Sequence, residues 1–245
     1  MEEGKKILVS GHRGGMLSYE NTLTDFQLAI DNGLEEVEFD IWLTKDKVPI
    51  ILHGSNNTIG FEDPLGEVSK DTMITEITLE QIKRYELPNG DHIPTFEELL
   101  DVCAGKIVMN IEIKDPNKEV CQIVLDIIKQ RELTREAVNF SSFHHEILTA
   151  LKEIDDNFDF GYLYRSEEEL DPEYYPHHGE SVNIAINHVT KEVVDTCHEQ
   201  GRKVKVYFCK AFPEKDEHYP HLVECGVDHV FSDHPLKLLE YLKTA

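Results

Sequence analysis

The chain has 245 residues, 40% of them apolar, which suits one large domain with a buried core. Its formal net charge of −24 argues against a nucleic-acid partner, which would need a basic face, and against attraction to an anionic membrane. No apolar run reaches the roughly 18 residues of a membrane span, and the apolar stretch near the start is too short for a signal-peptide core. A cytoplasmic location without stable membrane insertion is therefore expected. Cys103, Cys121, Cys197, Cys209 and Cys225 are scattered with no CxxC pair, and read as reduced thiols rather than disulfides or a zinc site.

Short β-rich runs alternate with helical stretches along the chain. "KILVSG" (6–11) reads as a strand, and a helix over 22–32 puts Phe26, Ala29 and Ile30 on one face before Gly33 stops it. "EVEFDIWL" (36–43) and "VPIILH" (48–53) follow as strands. The polar stretch 54–93 breaks the rhythm, with one short helix around 79–85. Thr95 and Glu98 form a capping box for a helix over 96–104, closed by Gly105. Strands at 107–114, 137–143, 158–164, 182–187, 204–209 and 228–233 then alternate with helices at 117–131, 144–153, 190–200 and 235–243. The run Glu167-Glu168-Glu169 reads as a solvated helix start or loop.

Such alternation predicts an α/β fold with a parallel sheet. Nine strand candidates for eight stations predict a (β/α)8 TIM barrel with one extra strand. Only "TKDKV" separates 36–43 from 48–53, whereas a parallel crossover needs about a dozen residues, so these two runs should form a hairpin. With its turn near Asp46, His53 falls beside Phe39 and Asp40. Residues 54–93 read as an insertion on the C-terminal rim, too small and too poor in apolar residues to bury a core of their own. The chain 1–245 is then expected to form a single domain.

Active sites of barrels sit at the carboxyl ends of the strands. His12 and Arg13 follow the first strand, Glu38 and Asp40 share one face of the second, His53 ends the returning strand, and Glu112 and Lys114 share one face of a later strand. The bland alternative for Glu38 and Asp40 is an outward, solvated face. Val37, Phe39, Ile41 and Leu43 claim the layer under the helices, which turns the acids inward. Two like charges ~4 Å apart cost about 4 kcal/mol at an effective dielectric of about 20. One divalent cation, Mg²⁺ or Ca²⁺, would offset that, because an all-oxygen ligand set suits hard ions. Most of the 13 histidines must be structural or solvated, but His12 and His53 stand at strand ends beside the carboxylates and could act as acid and base. His188, just past a strand end, is a weaker candidate. Arg13 and Lys114 supply the local positive charge that an anionic substrate needs in so acidic a chain, with glycines letting backbone approach it. Tyr207 could pack beneath a substrate or belong to the core.

The order His12-Arg13-Gly14, Glu20-Asn21-Thr22, Glu38-x-Asp40, Thr44-Lys45-Asp46, His53, Ile93-Pro94-Thr95, Glu112-Ile113-Lys114 and a terminal "GVDHVFSDHP" resembles the glycerophosphodiester phosphodiesterases, from about residue 7 to 240. The resemblance implies a phosphodiesterase barrel with an insertion after the second histidine. It implies a Mg²⁺ or Ca²⁺ site at Glu38, Asp40 and Glu112, an acid/base pair at His12 and His53, and phosphate contacts from Arg13 and Lys114. It implies cleavage of glycerophosphodiesters such as glycerophosphocholine to glycerol 3-phosphate and an alcohol, by water or by way of the glycerol 2-hydroxyl. Two departures stand out: Gly54 where the family usually has Asp, and "VYFCKAF" where it often has an aromatic followed by Thr-Val-Asn. Two alternatives remain open. A phospholipase D-like enzyme, of the sphingomyelinase D type, shares the His-Gly pair but needs an apolar surface near the mouth, for which "NTIGFEDPLG" offers Ile59, Phe61 and Leu65. A barrel that binds phosphorylated metabolites without cleaving them is the other.

Overall fold

The computed structural model describes residues 6–62, 64–165 and 179–245. The Glu167–Glu169 run lies outside these described residues. The strands are β1 (Leu8–Gly11), β2 (Glu36–Leu43), β3 (Pro49–Ile51), β4 (Val108–Ile113), β5 (Val138–Ser142), β6 (Asp159–Tyr164), β7 (Ser181–Ala185), β8 (Lys203–Tyr207) and β9 (His229–Ser232). The helices are α1 (Leu23–Asp31), α2 (Leu79–Ile82), α3 (Phe96–Cys103), α4 (Glu119–Gln130), α5 (His145–Ile154), α6 (Lys191–Glu199), α7 (Tyr219–Cys225) and α8 (Pro235–Leu242).

The sheet runs β1-β9-β8-β7-β6-β5-β4-β2-β3, and β1 also pairs with β2. Eight parallel strands thus close into a TIM barrel, and β3 joins β2 antiparallel. The hairpin has the register that its loop length predicts: Ile41 faces Ile51, Trp42 faces Ile50 and Leu43 faces Pro49. β1 pairs only with the start of β2, at Glu36 and Val37, so β3 takes over the edge that β1 leaves vacant. The residues that follow β1 and β3 are thereby delivered to the same side of β2.

Alternation along β2 sorts its side chains as expected. Val37, Phe39, Ile41 and Leu43 are fully buried in the layer between barrel and helices, with Phe26 of α1 meeting Phe39 edge-on at 5.8 Å. Each such ring or branched chain contributes about 1.5–3 kcal/mol by leaving water. Threonine side chains cap several of the helices: Thr22 accepts from the Asp25 amide, and Thr95 and Glu98 form the expected box. Most elements are shorter than their patterns suggest, and the shortfall is largest for the strand predicted over 48–53 and the helix predicted over 79–85, which reduce to Pro49–Ile51 and Leu79–Ile82. Helix α7 is a further element that the sequence pattern did not mark; it has seven residues with Pro220 in its first turn, too few for a periodic face.

The stretch 54–93 buries more than its composition promised. Ile59, Val68, Ile74, Ile77 and Ile82 pack with Tyr85 and Ile93 into a second cluster, completed by Trp42 and Ile50 from the barrel hairpin. The hairpin supplies the apolar surface the stretch lacks. Inside the barrel, the amino-end layers are polar rather than aliphatic: His229 pairs with Glu36 at 3.0 Å, and Asn139 bridges Glu36 and Lys205. No described helix is long and apolar enough to cross a membrane.

Candidate active site

Seven residues singled out in the sequence line one cavity of about 300 Å³: His12, Arg13, Glu38, His53, Glu112, Lys114 and Tyr207. Asp40 stands with them, because one carboxylate oxygen from each of Glu38, Asp40 and Glu112 lies within 4.8 Å of the others, all three buried. The register explains the convergence: Asp40 of β2 is level with Glu112 of β4, and Glu38 sits one pleat below on the same face. His188 lies in the turn after β7, its ring bonded to the Asn187 amide, and does not line this cavity.

Cations in the wall partly compensate the acids. Lys114 Nζ is 2.7 Å from Glu112 and 3.3 Å from Asp40, while Arg13 pairs with Glu20 at 2.8 Å and lies 3.8 Å from Asp40. Asn21 donates to Asp40 at 2.9 Å, and the Arg13 amide donates to Glu38 at 3.0 Å. Burial works against the charge of Asp40, but Lys114, His53 and Arg13 outweigh it and hold its carboxyl below the usual range. Glu38 fares differently: burial and the neighbouring Asp40 charge push its carboxyl up to about 8. One Glu38 oxygen is also buried without a hydrogen-bond partner. The pocket is short of positive charge at the spot where three oxygens meet. An all-carboxylate donor set in which burial and a neighbouring charge press Glu38 toward its neutral form, with one of its oxygens unpartnered, fits a hard divalent cation.

The two histidines are held in different ways. His12 Nδ1 is 2.5 Å from Asp233, the residue after β9, and its Nε2 is 3.8 Å from Glu38. Asp233 is itself placed by Glu214, whose carboxylate accepts from the amides of Asp233 and His234 and from the Ser232 hydroxyl. Burial disfavours the His12 cation, but the Asp233 bond and the Glu38 charge more than offset this and raise its pKa above the ordinary 6.5. His53 Nδ1 donates to the Gly54 carbonyl at 2.9 Å. Burial, aided by Arg13 and Lys114, keeps its pKa below 6.5 despite Asp40. One imidazole is thus biased to carry a proton and the other to lack one. Tyr207 forms part of the wall, its ring edge-on to Phe143 and its hydroxyl donating to the Tyr164 carbonyl.

The sequence model of the glycerophosphoryl diester phosphodiesterase family matches residues 12–237. The chain belongs to that family. A curated glycerophosphodiester phosphodiesterase from Caldanaerobacter subterraneus subsp. tengcongensis is 27% identical, the match covering 97% of this chain and 98% of the relative. A crystal structure of a candidate glycerophosphodiester phosphodiesterase from Galdieria sulphuraria superposes with a TM-score of 0.89 at 26% identity, over 99% of this chain and 100% of that one. An Oleispira antarctica phosphodiesterase, solved with the product sn-glycerol-3-phosphate, shares the fold at a TM-score of 0.81 and 24% identity, over 97% and 96% of the two chains. The protein is an enzyme of the phosphodiesterase class, built on the barrel of these relatives.

Two features of this phosphodiesterase were not readable from its motifs. Asp233 was part of the terminal "SDHP" stretch, but its pairing with His12 follows only from barrel closure, which sets Gly11 of β1 beside Ser232 of β9. Gly14 serves the loop rather than a ligand: a Cβ there, at φ +102°, would meet the Asp25 carboxylate at 2.5 Å. That carboxylate accepts from the amides of Met16 and Ser18 and shapes the turn.

The departure at Gly54 also has a local cause. Its φ is +73°, and a Cβ there would lie 2.7 Å from both the Thr58 carbonyl and Ile74 Cδ1. The carbonyl of Gly54 itself orients His53, so no side chain at this position is needed for that purpose. Gly54→Asp is expected to destabilise the fold by about 2–4 kcal/mol in urea unfolding, from backbone strain and the backbone clash. An unchanged unfolding midpoint would contradict this account of the turn.

Proposed function

We propose that the protein hydrolyses glycerophosphodiesters, such as glycerophosphocholine or glycerophosphoethanolamine, to sn-glycerol 3-phosphate and an alcohol, as a single-domain cytoplasmic enzyme with 54–93 as a rim insertion. The observation that carries this reading is the convergence of three buried carboxylates, two oppositely biased imidazoles and two permanent cations on one cavity. The family, the curated relative and the product held by a neighbour in fold support it.

Glu38, Asp40 and Glu112 would hold one Mg²⁺ or Ca²⁺ ion. Such an ion supplies a Lewis acid for a phosphoryl oxygen and eases deprotonation of the nucleophile. His53, neutral at working pH, takes the proton of the attacking oxygen, from water or from the glycerol 2-hydroxyl. His12, protonated against Asp233, gives its proton to the alcohol oxygen as the P–O bond breaks. Arg13 and Lys114 hold the phosphoryl oxygens as negative charge concentrates there. Attack by the 2-hydroxyl would leave a cyclic phosphate, which water then opens with the imidazoles in exchanged roles: His12, now neutral, takes a proton from water, and His53 returns its proton to the departing 2-oxygen.

The phospholipase D-like alternative needs its apolar patch at the mouth. Ile59 is buried in the second cluster and Phe61 leans edge-on to Tyr85, which leaves Leu65 exposed among those three residues. The reading is tested by incubating purified protein with diesters of several head groups and measuring glycerol 3-phosphate, with and without chelator. Product that disappears with chelator and returns with Mg²⁺ or Ca²⁺ is expected. Tight binding with no product would instead mark a non-catalytic phosphometabolite-binding barrel.

A further inference from the structure

Past β8 the chain walls the catalytic cavity and then turns back. Phe208, Cys209 and Lys210 line the cavity, and backbone bonds in both directions between Cys209 and Phe212, at 3.1 and 2.9 Å, close the turn. Glu214 follows, 7% exposed and behind the cavity wall rather than in it. Burying a carboxylate is costly unless hydrogen bonds replace its water. One Glu214 oxygen accepts from the Tyr219 hydroxyl at 2.8 Å, and the other from the amides of Asp233 at 2.6 Å and His234 at 3.2 Å. The Ser232 hydroxyl lies 2.8 and 3.0 Å from the two.

Three of these four donor groups belong to consecutive residues, Ser232, Asp233 and His234, so the carboxylate grips the turn after β9 as a unit. That turn carries the partner of the proposed acid. Asp233 Oδ1 is 2.5 Å from His12 Nδ1, and Ser232 stands in register with Gly11, the residue before His12. Within the turn, the His234 amide also donates to the Ser232 hydroxyl at 3.0 Å, which leaves the Asp233 amide to Glu214. Fixing this turn fixes the carboxylate that holds the imidazole by Nδ1 and leaves Nε2 for the cavity. A glutamine would place an N–H₂ donor among donors, so the site suits a carboxylate and not its amide.

We infer that Glu214 is a positioning residue for alcohol protonation: by holding the Asp233 turn it keeps the His12 ring aimed at the departing oxygen. The inference rests on the phosphodiesterase reading, with His12 as its acid, and adds a residue from the loop after β8.

The test exploits the leaving group. Choline departs as an alkoxide that needs a proton, whereas p-nitrophenolate departs without one, so an impaired acid slows the first reaction selectively. Glycerophosphocholine and the p-nitrophenyl ester of glycerol 3-phosphate are compared as substrates of the metal-loaded enzyme. In Glu214→Gln the ratio of their kcat values, choline ester over nitrophenyl ester, should fall by about tenfold to a hundredfold, the cost of a small misplacement of a catalytic group. Added to His12→Ala, the same change should cost little more, because both act on one proton transfer. Should Glu214→Gln not fold, Ser232→Ala, which removes one donor and keeps the carboxylate, should lower the ratio by about threefold. Equal slowing of both substrates alongside a lower Tm would reduce Glu214 to a structural role and overturn the inference, as would full additivity with His12→Ala. If His12→Ala itself slows both substrates equally, His12 is not the acid, and the assignment of its role falls together with this inference.

Discussion

His12→Ala should lower kcat by about a thousandfold, within the range that one general acid contributes, while the unfolding midpoint stays near that of the parent. The side chain is half-buried against Asp233 and Glu38 and does not belong to the apolar core. The pH dependence follows from the same geometry. Catalysis by the proposed pair needs His53 without its proton and His12 with one. The pKa of His53 lies below 6.5, so the acidic limb of the kcat/KM profile should fall below that value; the pKa of His12 lies above it, so the basic limb should fall above. Between the limbs the rate is flat, and the profile is widest when both shifts are intact. Asp233→Asn tests the cause of one shift. It removes the carboxylate that stabilises the His12 cation, so the basic limb should move to lower pH, with a loss of about tenfold in rate at the optimum. A basic limb that stays in place after Asp233→Asn would assign that limb to some other group. Near-parental turnover in His12→Ala would end its role as an acid.

The site was legible in the sequence to the extent that it depends on alternation and loop length. Glu38, Asp40 and the apolar residues between them were sorted by the two-residue period of one strand, and the short "TKDKV" link fixed the register that brings His53 close. Glu112 and Lys114 followed by the same alternation. What escaped depends on closure in three dimensions. Asp233 meets His12 across 221 residues of chain, because β9 is the last strand of a ring whose first strand is β1. Glu214 arrives from the loop after β8, and nothing in its local sequence marks it as the acceptor that sets the Asp233 loop. Gly54 reads as a loss when compared with a family that favours Asp, but its φ and the proximity of Thr58 show that the turn requires it. Gly14 has a comparable explanation, since the space beside it is filled by Asp25 rather than left for substrate. Residues 54–93 look too polar to bury a core because two of the side chains that complete it, Trp42 and Ile50, belong to the barrel hairpin.

Removing Glu38's charge should raise stability and abolish activity at once. Without an ion, Glu38 is buried beside Asp40, and its carboxyl is pushed up to about 8. Because this value lies above that of an unfolded glutamate, near 4.3, the folded chain binds the proton more tightly. The favourable contribution from this group is therefore fully present below about pH 4.3 and is lost as pH rises toward 8. Chelator-treated protein should thus show a Glu38-dependent fall in Tm between pH 5 and pH 8. Glu38→Gln keeps the size and removes the charge, so in chelator at pH 8 its Tm should exceed that of the parent, by several degrees if the relief is about 1–2 kcal/mol. Added Mg²⁺ or Ca²⁺ should reverse the order: the parent gains stability by binding the ion, while the variant, with one carboxylate gone, gains little. Binding should also release a proton from Glu38 near neutral pH, so ion affinity rises with pH and levels off above about 8, which calorimetry in buffers of different ionisation heat can read directly. The rate should follow the ion, with Glu38→Gln losing about a thousandfold or more as the oxygen set falls from three carboxylates to two. A variant that is less stable than the parent in chelator, or that still binds Mg²⁺ or Ca²⁺ and turns over normally, would show that these three acids coexist for a reason other than holding a cation.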